Sequence, residues 1–418
     1  MILNLLLSVD ESLIYMKKLL FICIIIVCYS CEKDKSVPKQ GTWRAVLNLD
    51  HNKEIPFSLN YSTDNKITIL NGEETIEVKD VLLKGDSIII NMPVFESVFK
   101  GVYTSDSIYG DYIKPNLKEK IPFKMKQGRA ERFAVSSAPT QNVSGSWETV
   151  FIPKSSKDRY IAKGIFEQIG HKVTGTFSTT TGDYRFLEGS VEKDSLRLST
   201  FDGAHAFLFE ALVTDSTMTG MFYSGNKWKE PFTAVRNENY ELPKSDSLTF
   251  LMDGYENLEF SFKNTKGEVV SLTDDQFKNK VVIVQIMGTW CPNCMDESKF
   301  YSKFYEENKS KNLAFVSLAF EYAKTEDKAM AAINKFKEAL NIPYPILLAQ
   351  YGTTDKKKAN KKLPMLNHIP SYPTTIFIGK DGKVRKIHTG FNGPATKGKY
   401  EDFKKSFSSY VSKLLAEE

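Results

Sequence analysis

The 418-residue chain is poor in cysteine, histidine and tryptophan, and carries no strong excess of either charge. Each shortage excludes something. Lys plus Arg number 56 against 51 Asp plus Glu, and a surplus of +5 over so long a chain is too thin for the basic footprint of a nucleic-acid-binding protein. No long block of like charge occurs, and Lys356-Lys357-Lys358 reads as a solvated loop. No apolar run approaches the ~20 residues that a membrane-spanning helix needs. With 41% apolar and 26% charged residues, the chain is neither disordered nor collagenous. The five cysteines are Cys23, Cys28, Cys31, Cys291 and Cys294. Three crowd one end and two form a Cys-x-x-Cys, so they do not staple a fold together. The five histidines (His51, His171, His205, His368, His388) are scattered and no second Cys-x-x-Cys exists, so a four-ligand zinc site is not expected.

What is present begins with an address. Met16-Lys17-Lys18 is a basic start, Leu19 to Val27 is an apolar run of nine, and Ser30-Cys31 precedes the charged stretch Glu32 to Lys35. The run suits a secretory signal and is too short to span a bilayer. Residues 1–30 resemble a bacterial lipoprotein signal with translation starting at Met16. That resemblance implies cleavage before Cys31, lipidation of Cys31, and attachment to the membrane through the N-terminal lipid. Cys28 and Tyr29 depart from the usual residues before such a cysteine. After cleavage and acylation, Cys291 and Cys294 are the only free thiols expected.

Residues 31–40 read as a polar tether. Beyond them lies an internal repeat. Gly41-Thr42-Trp43 recurs as Gly145-Ser146-Trp147, 104 residues on, and Pro122-Phe123 recurs as Pro231-Phe232, 109 residues on. Asp86-Ser87 and Asp106-Ser107 recur as Asp194-Ser195 and Asp215-Ser216 in the same order. Each copy, 41–134 and 142–237, reads as about eight short strands separated by turns, a meandering barrel or sandwich. A binding module and a spacer are both compatible with it. The four Asp-Ser pairs and Asp246-Ser247 resemble a bacterial O-glycosylation signal, or simply make turns.

Residues 238–247 read as a linker. From 248 to 418 strands alternate with helices, the mark of an α/β domain. Lys280 to Met287 reads as a buried strand, and a helix follows Cys291. Leu313 to Leu318, Tyr344 to Ala349, Thr375 to Ile378 and Val384 to His388 read as strands, and Thr325 to Leu340 and the Phe403–Leu414 stretch as amphipathic helices.

Trp290-Cys291-Pro292-Asn293-Cys294 therefore falls at a strand-to-helix turn. The unpaired N–H groups of a helix start favour a thiolate on Cys291, and Cys294, one turn in, can attack a mixed disulfide formed there. Met295 stands where a c-type haem site needs His, and Thr289 is out of register for a peroxiredoxin. A merely structural disulfide is the plain alternative.

Residues 250–416 resemble the thioredoxin fold of the TlpA/ResA-like family of exported thiol–disulfide oxidoreductases. The likeness rests on the strand Val281 to Ile286, the Trp290–Cys294 motif, Glu297, and Tyr372-Pro373-Thr374-Thr375 before a strand and the Lys380-Asp381-Gly382-Lys383 hairpin. It implies that Cys291 attacks and Cys294 resolves. It implies that Pro373 is a cis-proline facing the pair, with Tyr372, Thr374 and Trp290 beside the substrate, and that Glu297 shuttles the proton of Cys294. No cofactor is implied. The expected partners are disulfide-containing exported proteins and an inner-membrane thiol donor. Gln285 stands where thioredoxins place a buried acid, which shifts proton handling to Glu297 and water. Two further readings compete: a surface or periplasmic binding lipoprotein with a redox-gated appendage, and a copper-handling relative using His368.

Overall fold

A computed structural model describes residues 37–129, 131–243 and 245–417. The signal segment, Cys31 and residues 31–36 of the tether lie outside the described residues.

The first copy is a nine-stranded antiparallel meander running from Gly41–Leu49 to Glu119–Gln127. Its first and ninth strands pair, and the wrapped sheet stays open between Glu74–Val78 and Val81–Lys84. The second copy is a closed barrel of eight strands from Gly145–Phe151 to Trp228–Arg236. Both copies begin with the same device. Gly41 and Gly145 take φ of 105° and 108°, which only glycine adopts without strain. The tryptophans two residues on are fully buried, and their indole N–H groups donate to Lys39 O at 2.8 Å and Val143 O at 2.9 Å. A large ring thus enters the core without orphaning its polar atom.

The interior of the closed barrel is filled by Phe151, Phe177, Phe209, Phe222 and Phe232 in mutual ring contact. The first sheet takes part of its core from the second copy: Phe201 stacks on Phe57 at 4.4 Å and meets Phe99 and Tyr112 edge-on. Arg132, in the connection between the copies, is buried and donates to Ser199 O at 2.8 Å and Asn71 Oδ1 at 2.9 Å. The two copies therefore form one packed body.

The last domain has a seven-stranded sheet in the order Val269–Ser271, Ser261–Asn264, Ile346–Gln350, Leu313–Phe320, Val281–Met287, Thr374–Ile378, Val384–Thr389. The three strands from Ile346–Gln350 to Val281–Met287 are parallel, Thr374–Ile378 runs antiparallel to Val281–Met287, and Val384–Thr389 pairs antiparallel with Thr374–Ile378. Val281–Met287 is buried at every position, as a central strand covered on both faces must be. The helices are α1 (Pro292–Asn308), α2 (Glu326–Ala339), α3 (Lys356–Asn360) and α4 (Gly398–Ala416). Lys356-Lys357-Lys358 is helical rather than loop. Asp355 caps the segment by accepting the Lys358 N–H at 2.8 Å, and this cap holds the turn despite three adjacent cations. In the linker, Asp246 bonds His388 at 2.7 Å and Lys386 at 2.8 Å, fastening the segment to an outer strand. Among the described residues, no helix is long and apolar enough to cross a membrane.

Candidate active site at the start of helix α1

The central strand ends at Met287 and the chain turns through Gly288-Thr289-Trp290 into α1. Pro292 occupies the first helical position, where its missing N–H is not needed. Cys291 is the N-cap: its Sγ accepts the backbone N–H of Cys294 at 3.1 Å. The same donor can serve a thiolate after reduction, adding to the positive end of the helix dipole. Cys291 and Cys294 are joined as a disulfide with Cα atoms 5.2 Å apart. Cys294 is fully buried, while Cys291 retains 6% exposure, so Cys291 is the sulfur a visitor meets first.

Across from the pair, the Tyr372–Pro373 peptide bond is cis, and Tyr372 O lies 3.6 Å from Cys291 Sγ. Trp290 donates its indole N–H to Phe320 O at 2.9 Å and packs edge-on against Tyr372. Its ring is thus held between a strand end and the turn before the cis-proline. Thr374 is fully buried and spends its hydroxyl on Ser371 O at 2.9 Å. It holds the turn and opens the next strand rather than facing the cleft.

Glu297 sits one turn beyond Cys294 on α1 and is wholly buried. Its carboxyl accepts from Gln285 Nε2 at 2.8 Å, Tyr301 OH at 2.9 Å and Thr375 Oγ1 at 3.0 Å. The Gln285 amide points its NH₂ at Glu297, while the Ser298 and Ser317 hydroxyls donate to its Oε1 at 3.0 Å and 2.8 Å. The same nitrogen lies 3.5 Å from Cys294 O, linking the acid to the resolving cysteine through one side chain. Burial pushes the Glu297 carboxyl up to about 7, against the pull of its neutral donors. A group poised there can hold or release a proton near neutral pH.

A second buried acid escaped the sequence reading. Glu321, just past Leu313–Phe320, accepts from Thr289 N and Oγ1, both at 2.8 Å, and burial pushes it up to about 7. It braces the turn carrying Trp290 from a strand 32 residues away. The only trace of it in the sequence is an acid closing an otherwise apolar strand. The Trp290 ring also borders a cleft of about 220 Å3 shared by all three domains, whose walls include Tyr322, Phe95, His205 and Trp228. His368 is exposed, on a loop before the cis-proline.

A cysteine pair capping a helix that leaves a central strand, opposite a cis-proline, defines a dithiol oxidoreductase on a thioredoxin fold. The sequence comparisons agree. Residues 253–403 match the Redoxin family model. The chain is 31% identical over 140 residues to the thioredoxin-like protein YneN of Bacillus subtilis, covering 34% of this chain and 73% of that protein. It is 26% identical over 140 residues to the thiol-disulfide oxidoreductase ResA of the same organism, covering 34% of this chain and 69% of that one. A thioredoxin-family thiol:disulfide interchange protein of Chlorobium tepidum superposes over 40% of this chain and all of its own, with TM-score 0.30 and 20% identity. Through its C-terminal domain the chain belongs to the TlpA/ResA-like family of thioredoxin-fold thiol–disulfide oxidoreductases.

Proposed function

We propose that the protein is an envelope-anchored reductase or isomerase of disulfides in exported proteins, held to the membrane by a lipid on Cys31. The observation that carries the reading is the N-cap position of Cys291, whose sulfur receives the Cys294 N–H at 3.1 Å. Export is supported by the signal-like segment of residues 1–30.

In the reduced enzyme the Cys291 thiolate attacks one sulfur of the substrate disulfide. A new S–S bond forms to Cys291, and the other substrate sulfur leaves as a thiolate and takes up a proton. Cys294 then loses its proton, with Glu297 in its basic form as the acceptor by way of a water, and attacks the Cys291 sulfur. The mixed disulfide breaks, the second substrate sulfur leaves and is protonated, and Cys291–Cys294 is oxidised. Two electrons have passed to the substrate, and a dithiol donor at the inner membrane returns them to the enzyme. The peptide ahead of Pro373 offers its backbone to an extended substrate, with Trp290 and Tyr372 as the flanking rings.

The test is reduction of insulin with a dithiol as donor. Cys291→Ser is expected to lower turnover by about a thousandfold or more, since the covalent step has no substitute nucleophile. Equal turnover in the variant refutes the reading. Fractionation of cells making Cys31→Ala tests the anchor separately: the chain should leave the membrane fraction.

A further inference from the structure

The surface around Cys291 has an occupant already. Three segments adjoin the cysteine pair and its cis-proline: Asn293 between the two cysteines, the turn Ser371-Tyr372, whose Tyr372 O lies 3.6 Å from Cys291 Sγ, and the stretch Gly390 to Gly393, whose Gly390 N–H donates to Pro373 O at 2.8 Å. One loop of the second barrel, residues 179–186, touches all three. Asn293 Nδ2 donates to Asp183 O at 3.2 Å, and Ser371 Oγ donates to Thr181 O at 3.2 Å. Gly182 forms a parallel β-bridge with Phe391, and the Gly393 N–H donates to the Asp183 carboxylate. Gly390 has φ of +82°, and a Cβ there would lie 2.4 Å from Thr181 O, so the two backbones are in direct contact. Extended backbone pairing beside the cis-proline is what a bound polypeptide would supply.

The loop is also fastened. Arg185 is buried; it pairs with Asp296 of α1 and Glu74 of the first sheet, and lies 3.2 Å from Asp202. A further nitrogen contact reaches Pro292 O, inside the Cys-x-x-Cys, at 3.2 Å. Ser178 Oγ donates to Asn392 Oδ1 at 2.5 Å.

We propose that residues 179–186 are a built-in stand-in for substrate. Docked, the loop covers the polypeptide-binding surface and leaves the Cys291 sulfur to low-molecular-weight disulfides; polypeptide disulfides react only when the loop lifts. The segment Thr181-Gly182-Asp183 further identifies the kind of chain this surface accepts: extended, with a small residue followed by a carboxylate. This inference rests on the dithiol activity proposed above but concerns access to it.

The test compares two substrates, insulin and 2-hydroxyethyl disulfide, on the full chain. Gly182→Trp is the wedge: even a Cβ at 182 would meet Asn293 Nδ2 at 2.4 Å, so an indole there cannot dock. Gly182→Trp should raise kcat/KM for insulin about tenfold, equivalent to about 1.4 kcal/mol of docking, with the small disulfide changed less than about twofold. Asp183→Ala, which removes the Gly393 bond, should act in the same direction and serves if the wedge fails to fold. An insulin-to-small-disulfide ratio unchanged in the folded variant overturns the inference. A second readout needs no turnover: alkylation of reduced Cys291 in a Cys294→Ser chain by iodoacetamide and by a maleimide on a long polyethylene glycol. The wedge should accelerate only the bulky reagent, and equal acceleration of both overturns the inference. Loss of turnover on both substrates with the alkylation difference intact would sink the reductase reading and leave the gate standing.

Discussion

Asp296 and Glu297 are consecutive on α1, and their carboxyl groups meet opposite surroundings. Asp296 turns away from its own domain to Arg185 of the second barrel, with Lys299 3.6 Å off. Glu297 turns inward to Gln285, Tyr301 and Thr375, all neutral donors. A guanidinium answers a buried carboxylate charge with charge; hydroxyls and an amide answer it only with dipoles. One face of the helix is thus an ionised joint between domains. The other holds an acid whose proton is available near neutral pH. The difference separates assembly from chemistry across a single helix.

The joint should be the more damaging face to break. Arg185→Leu leaves Glu74, Asp202 and Asp296 together without their shared cation. A loss of about 3–5 kcal/mol in denaturant unfolding is expected, as for removal of one partner from a buried ionic cluster. The loss should shrink in acid. Carboxylates stranded without a cation have raised pKa values in the folded state, so the folded chain binds more protons and recovers stability as pH falls. A loss below about 1 kcal/mol would place this cluster with ordinary surface pairs and erase the contrast.

The inward face should respond to pH in a different way. Glu297 rises from about 4.5 to about 7 on folding. The folded chain therefore holds a proton that the unfolded chain has lost, and stability declines as pH rises through that window. Glu297→Gln removes the ionisable group. It should gain up to about 3 kcal/mol over the parent near pH 8, with the gain vanishing near pH 4.5. Its disulfide turnover should fall and lose its dependence on a group titrating near 7. A gain of the same size at both pH values would mean that Glu297 is not the titrating acid.

The same contrast marks what the sequence discloses. The inward face was legible because its signals are local or periodic. The Cys-x-x-Cys at a strand-to-helix turn, Glu297 at fixed spacing, and the apolar strand Val281 to Ile286 with Gln285 in it all lie within one short stretch. The β repeats were legible as a repeat because Gly-x-Trp solves the same backbone problem twice. Their shared core was not, since Phe201 is one more aromatic in an alternating strand until it inserts beside Phe57. Arg185 carries no motif at all. Its meaning comes from Glu74, Asp202 and Asp296, which belong to three domains, and no sequence spacing encodes that meeting. Glu321 was missed for the same reason: its partner, Thr289, is reached only through parallel pairing of two strands.

The finest probe of the inward face is Tyr301→Phe. The Tyr301 hydroxyl lies 2.9 Å from Glu297 Oε1 and 2.7 Å from Thr375 Oγ1, which itself stands 3.0 Å from the same carboxyl oxygen. Deleting the phenolic oxygen leaves the ring packed against Phe315 and Phe407 and removes one of three donors to the carboxylate. Hydrogen bonds to the ionised form hold a pKa down, so the Glu297 midpoint should move further up. The stability cost should be about 1 kcal/mol and larger above the midpoint than below it, because the lost bond is worth most to the charged acid. Thr375 becomes free to donate fully to Glu297, which caps the effect. A carbonyl-labelled infrared titration of Glu297 in the two chains reads the shift directly. A downward movement would mean that Tyr301 accepts rather than donates there, and that the carboxyl keeps its proton for longer than three donors should allow.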